Sequence, residues 1–251
     1  MQIAGVRVVA FVLAVATSCS PEAALDRDAL WRVVDELCVP GQSSAGVPFP
    51  CQSVDLENDI AILGVEARHF LLIPTDRIAG IESPEIVSPD APNYWDLAWR
   101  ARDRLDKSAG DDLERDQVAI AINSAQARTQ DQLHLHVGCV RPDVQVALQV
   151  YEKDISESWS RLPFAILPGH HYRIMRLEGE ELGPTNPFAL LANGISTAAA
   201  DMASYTVVVV GAKFRDGTNG FYVLAERTQN NSGASGESLL DFDCTIVRPR
   251  S

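Results

Sequence analysis

The chain has 251 residues, 46% of them apolar and 22% charged, ordinary globular usage and length enough for one large domain or a core with an extension. That balance excludes a mainly disordered, collagenous or coiled-coil chain. With 21 Lys and Arg against 34 Asp and Glu the net charge is −13, so no nucleic acid partner is expected, and an anionic ligand needs a locally basic pocket.

Arg7 precedes a short apolar run, Val8 to Ala16, followed by Thr-Ser-Cys-Ser-Pro. A charged start, an apolar stretch and small residues read as a secretory signal, and the run is shorter than the ~20 residues of a spanning helix. Residues 1–24 are therefore expected to be a signal peptide cleaved near Ala24, a lipid-modified N-terminus at Cys19, or a retained membrane anchor. Export places the protein in the cell envelope, on the periplasmic side of the inner membrane or anchored to it.

Asp26 to Cys38 predicts a helix, capped by Asp26 or Asp28, with Trp31, Val34 and Cys38 on one face and Pro40-Gly41 ending it. Cys51 to Val65 reads as two short strands, and Phe70 to Ile73 as an apolar strand stopped by Pro74. Ser83 to Pro92, with three prolines, is a loop. Asn93 opens a helix whose stripe is Tyr94, Leu97, Ala98, Ala101 and Leu105, closed by Gly110. Gln117 to Ile122 is a buried strand, and Gln132 to Val140 alternates strictly and is another. Pro142 starts a helix to about Lys153, HHYRIMRL is a strand, and Asn186 to Met202 is Ala-rich and helical. Tyr205–Gly211 and Gly220–Glu226 form a hairpin across the turn at 217–220. Asn230 to Gly236 is rich in Gly, Ser and Asn, reads as mobile, and holds the sequon Asn230-Asn231-Ser232. Helices mixed with hairpins make the class α+β.

Of the five cysteines, four remain once the signal segment is removed, which suggests two disulfides in an exported chain. Cys38 and Cys51 flank a Pro/Gly/Ser loop and pair as a local clasp, leaving Cys139 with Cys244. Three pairings are formally possible. There is no CxxC for a four-thiolate metal site.

The informative stretch is NSAQARTQDQLHLHVGCVRPD, Asn123 to Asp143. On a strand, residues two apart share a face, so His134 and His136 point the same way, ~7 Å apart. Gln132 and Gly138 belong to that face, and Gly138 leaves room beside His136. Leu133, Leu135, Val137 and Cys139 point to the core. Neutral imidazole is a good nucleophile near pH 7, and attack on phosphorus followed by water splits one hard displacement into two. Donors for the phosphoryl oxygens are needed, and one ring nitrogen must be held by an acceptor so that the other is free. The candidate substrate-binding residues are Asn123, Arg128, Gln130 and Asp131, with Arg77 and Arg141 offsetting the negative charge locally. Two histidines on one strand can also be satisfied polar groups or zinc ligands, but no third ligand stands at a fixed spacing. His69 and His170-His171 read as structural or surface residues, and the four tryptophans as core. No metal or cofactor is expected.

An Asn eleven residues and a Gln four residues before the first motif His match the histidine triad superfamily of nucleotide hydrolases and transferases without gaps. Within it the chain resembles the CDP-diacylglycerol pyrophosphatase family through ELCVPGQ, LLIPTDRIAGIESP, NYWDLAWRARD, INSAQARTQDQLHLHVGCVRPDV, LPGHHY and NPFALLA, from about Leu30 to the last Cys. The resemblance implies an antiparallel sheet with packed helices over residues about 50–155, plus a C-terminal α/β extension over about 156–251. It implies hydrolysis of CDP-diacylglycerol to CMP and phosphatidate through a nucleotidyl-histidine, at a membrane surface. In one register His134 is first, His136 the middle nucleophile and Gly138 third; in the other Gln132 is first and His134 the middle. The Asn and Gln spacings favour His136 as nucleophile and His134 as its support. The triad is incomplete either way, so the motif names no acid for the leaving group. A soluble nucleotide conjugate as substrate, and a non-catalytic nucleotide- or lipid-binding envelope protein, are the competing expectations.

Overall fold

The computed structural model describes residues 26–105, 113–162, 166, 170–229 and 233–247. The signal-like segment with Cys19, the end of the Asn93 helix with Gly110, and the sequon lie outside the described residues. Among the described residues no helix is long and apolar enough to cross a membrane.

Ten strands form one sheet: β1 Ser53–Asp55, β2 Ile60–Glu66, β3 His69–Pro74, β4 Val118–Ile122, β5 Leu135–Val140, β6 Ser160–Arg161, β7 Arg173–Glu178, β8 Tyr205–Lys213, β9 Asn219–Arg227 and β10 Leu240–Asp241. Their order is β1-β2-β3-β5-β4-β8-β9-β7-β6, with β10 on β5, and every pair is antiparallel. The fold is α+β. Strands from residue 156 onward continue the same sheet outward from β4, and β10 returns to its centre.

β3, β4 and β5 are buried along their whole length. Both faces are covered, so they read as near-continuous apolar runs. One face carries Leu72, Ile120, Leu135, Val137, Val209 and Val223 against the helices Tyr94–Arg100 and Pro187–Gly194, with Trp95, Trp99 and Phe188 filling the layer. Asn93 caps the first of these by accepting the Asp96 N–H. The other face has two separate covers. The N-terminal helix lies on Ala61, Leu71 and Ile73. The helix Pro142–Val150 lies on Ala119, Ala121 and Val208 through Val144 and Leu148.

The N-terminal helix differs from expectation. It buries Leu30, Val34 and Cys38 and half-exposes Trp31. It also runs past Pro40-Gly41 as Ala29–Arg32, a π-type stretch Val33–Cys38, and Val39–Ala45, closing at Gly46 with φ +66°. The wide π turn places Pro40 in the first turn of the last segment, where the missing N–H costs nothing. Asp28 precedes the helix without a side-chain capping bond. The strand β5 starts at Leu135 and not at Gln132. The chain before it is held instead by Leu133 N–H donating to Ile78 O and by the Gln132 amide donating to Pro74 O and Asp76 O.

Candidate active site

His136 sits on β5 between Leu71 of β3 and Ala121 of β4, its register partners. One partner belongs to the layer under the N-terminal helix and the other to the layer under Pro142–Val150. The ring therefore emerges in the gap between the two covers. A cavity of about 490 Å³ opens there, lined by His69, His134, His136, Asn123, Ser235 and Glu237 among others, a size in the range of small-molecule sites.

The β3–β5 register sets His69 opposite Gly138, two residues along from His136. His69 Nε2 lies 3.0 Å from His136 Nδ1. Burial, with His136 and His134 nearby, pulls His69 down to about 4 despite Glu237, so near pH 7 it is neutral. Its Nε2 then accepts from His136 Nδ1–H, so the proton on Nδ1 is held and Nε2 is the nitrogen left to exchange a proton and react. Phe242 stacks on His69 at 3.9 Å between ring centroids. His134 Nδ1 donates to Gln132 O at 2.6 Å. Burial foremost, then His136, holds it at about 4 and neutral. Its ring stands edge-on to His136 at 5.0 Å.

On the other side of His136, Glu237 Oε1 is 2.9 Å from Nε2. The approach is angled, short of an in-line hydrogen bond, and Nε2 is closed off from solvent. The Asn123 amide donates to the same carboxylate oxygen, and Ser235 Oγ donates to Asn123 Oδ1 at 3.0 Å. Burial pushes the Glu237 carboxyl up, but His136, the Asn123 amide and His134 outweigh it and hold it at about 2.

The structure brings together His136, His134, Asn123 and Gln130, and leaves the other expected residues elsewhere. Gln130 lines the cavity, yet its amide is committed to the N-terminal helix, accepting from Leu30 N–H and donating to Asp26 O. Arg128 is buried and pairs with Glu82 and Asp131, and Asp131 also pairs with Arg27. Arg77 pairs with Asp28 and lies over Trp31. Arg141 pairs with Asp143. No Arg or Lys lines the cavity among the described residues. In an acidic chain each of these arginines finds a carboxylate close in sequence or space. The room expected beside Gly138 is taken: a Cβ there would meet Phe242 at 3.4 Å and Leu240 at 3.6 Å. His170 binds Glu226 at 2.7 Å, away from the cavity.

Sequence reasoning missed His69, Glu237 and Phe242. The last two come from the C-terminal segment, which is not loose where it is described. A Cβ on Gly236 would meet Thr206 Oγ1 at 2.8 Å and Ala121 Cβ at 3.0 Å. Both expected disulfides form, Cys38–Cys51 and Cys139–Cys244. The second clamps the segment carrying Glu237 and Phe242 against β5. Cys139 and Cys244 were the signal that could have placed residue 237 near residue 136. Among the described residues no three His, Cys, Asp or Glu side chains converge as metal donors.

Residues 25–248 match the family CDP-diacylglycerol pyrophosphatase. A relative from Yersinia pestis, named CDP-diacylglycerol pyrophosphatase, is 34% identical over 224 residues, covering 88% of this chain and 85% of its own length. The match spans both disulfides, the histidine strand and the Glu237 turn, so the chain belongs to the CDP-diacylglycerol pyrophosphatase family.

Proposed function

We propose that this chain hydrolyses CDP-diacylglycerol to CMP and phosphatidate through a nucleotidyl intermediate on His136. Family membership makes it a hydrolase of a phosphoanhydride. The observation that carries the mechanism is the His69–His136 contact at 3.0 Å, beside a cavity walled by Asn123. His136 Nε2 attacks the cytidylyl phosphorus, the bridging P–O bond breaks, and phosphatidate leaves with the electron pair. The ring, now cationic, keeps its Nδ1–H on His69. Water then attacks phosphorus, the P–N bond breaks, and CMP departs. The Asn123 amide gives one N–H to Glu237 and has a second for the phosphoryl oxygens, while the Ser235 hydroxyl orients it by donating to Asn123 Oδ1. With no cationic side chain in the described lining, charge developing on phosphorus is met by these dipoles and by the imidazolium itself. His134, neutral and tied to the backbone, orients His136 edge to face and does not attack.

The acyl chains stay with a membrane. Phe49, 78% exposed, and Val47, 60% exposed, sit on the loop clasped by Cys38–Cys51. The same loop leads to Gln52, which abuts Gly64, the neighbour of cavity-lining Val65. An exported chain held at the envelope by its N-terminal segment presents this loop to the lipid surface. The test is hydrolysis by the mature chain of CDP-diacylglycerol in vesicles against a water-soluble CDP ester. His136→Ala abolishes activity on both, His134→Ala only weakens it, and Phe49→Glu lowers activity on vesicles alone. Full activity in His136→Ala refutes the assignment. Preference for the soluble ester moves the substrate to a soluble nucleotide conjugate, and tight CMP binding without turnover makes the chain a binding protein.

A further inference from the structure

Proton transfer in this centre needs a group that reaches His136 Nε2 and also exchanges with solvent. His69 and His134 do not meet that need: both are buried, one holds Nδ1 and the other is tied to the backbone. Glu237 meets it. Its Oε1 stands 2.9 Å from Nε2, and its side chain is 31% exposed against 8% for His136. A carboxylate oxygen and a bare imidazole nitrogen at that distance repel, so the contact calls for a proton on Nε2, which must leave before the nitrogen can attack. Nε2 is covered in the free chain, so the carboxylate, already at proton-transfer distance, turns off the nitrogen as substrate enters. The turn that carries it is fixed from three sides: the Asn123 amide holds one oxygen, Gly236 packs against Thr206 and Ala121, and β10 with Cys139–Cys244 binds the following residues to β5.

We propose that Glu237 is a second catalytic side chain, the acid and base that moves the proton in both halves of the reaction. The inference rests on the nucleotidyl-histidine reading. In the first half the Nε2 proton passes to Glu237, the freed lone pair forms the P–N bond, and the bridging P–O bond breaks. The phosphatidate oxygen takes the electron pair and the proton from Glu237. In the second half the water oxygen forms the new P–O bond and gives its proton to Glu237. The P–N electrons return to Nε2, which then recovers that proton as CMP leaves. The present contact with His136 keeps the carboxyl ionised. An anionic diphosphate entering beside it opposes that effect, so Glu237 becomes a proton carrier when substrate is in place.

The test uses Glu237→Gln, which keeps shape and the Asn123 contact, on two substrates. Steady turnover of CDP-diacylglycerol falls about 10²- to 10³-fold, because the water that frees CMP has lost its base. The p-nitrophenyl ester of CMP reports the same stall optically: it gives a burst of one nitrophenolate per enzyme and then stops, with CMP trapped on His136 by mass spectrometry. Glu237→Asp, a shorter carboxylate, recovers part of both rates. The inference is overturned if Glu237→Gln, folded by its melting transition, turns over both substrates within about threefold of wild type. It is also overturned if Gln and Asp variants are equally inactive with no burst, since that marks a structural role. Turnover by the wild-type chain with no CMP on His136 from either substrate sinks the parent reading and this one with it.

Discussion

Replacing His69 by Phe removes the acceptor that His136 Nδ1 has, while keeping a flat ring against Phe242. The lost bond spans 3.0 Å between two buried rings and joins a nitrogen whose ring becomes cationic in the intermediate. A hydrogen bond to a charged group is worth about 1.5–3 kcal/mol, which is about 10- to 150-fold in kcat/KM. A second effect pushes toward the upper end. Without His69 nothing retains the Nδ1 proton when Glu237 takes the one on Nε2, so the neutral ring keeps its proton on Nε2, facing Glu237 Oε1 at 2.9 Å, and the lone pair then lies on the wrong nitrogen. The assay is kcat/KM on CDP-diacylglycerol together with the rate of CMP attachment to the enzyme, in wild type, His69→Phe and His69→Gln. The amide oxygen of Gln accepts a hydrogen bond, so that variant recovers part of the loss. If His69→Phe stays within about threefold of wild type, or Gln is worse than Phe, His69 does not set the tautomer.

Arg128→Ala unpairs Glu82, leaves Asp131 with Arg27 alone, and lowers unfolding free energy by roughly 2–3 kcal/mol in urea, below the ~3–5 of a fully buried pair because both carboxylates keep some solvent and Asp131 keeps a partner. KM is unchanged; a raised KM with intact stability places Arg128 at the substrate after all. Removing Cys139–Cys244, which closes a separation of 105 residues, costs up to about 4.7 kcal/mol in the chain-entropy account, against about 3 for Cys38–Cys51 with a separation of 13. The Cys139→Ser/Cys244→Ser variant also loses activity by freeing the Glu237 turn, and a stable, fully active variant refutes the clamp. Stability falls as pH drops from about 6.5 to 4, because His69 and His134 are held at about 4 in the fold while the unfolded chain takes up their protons first. Each contributes at most about 3 kcal/mol. Glu237 and Asp131, both held at about 2, add a further loss only as pH falls below about 4.5. Urea midpoints from pH 7.5 to 5 show the first loss, His134→Gln flattens it, and a midpoint constant to pH 5 contradicts it.

Much of the central sheet is legible in the sequence because period-2 patterning and Pro stops are local. β3 ends at Pro74, β4 follows the VAIAI run, and β8–β9 close across Gly217. The histidine pair was legible for the same reason, since alternation alone puts His134 and His136 on one side. Its partners were not. His69 reaches His136 only through the β3–β5 register, a pairing between segments 67 positions apart. Arg68-His69 at the head of an apolar strand looks like any polar strand start. Glu237 lies next to a Gly/Ser-rich stretch whose composition suggests looseness, whereas Gly236 answers to close packing against β4 and β8 and Gly233 to close packing against the backbone of Gln126 and Ala127. The arginines misled through a global argument. A phosphate site in an acidic chain seems to need them, but the same excess of carboxylates captures them: Arg128 by Glu82 and Asp131, Arg141 by Asp143, Arg77 by Asp28. Helix termination at Pro40 failed because a π turn just before it removes the conflict that proline normally creates.

The most direct test of the nucleotidyl-histidine is rapid acid-free quenching of the wild-type chain with CDP-diacylglycerol, then peptide mapping by mass spectrometry. A CMP adduct on His136 that rises within the first turnover, decays as substrate is exhausted and is missing from His136→Ala is the predicted result. Steady release of CMP with the adduct on His134, or on no residue at all, contradicts it.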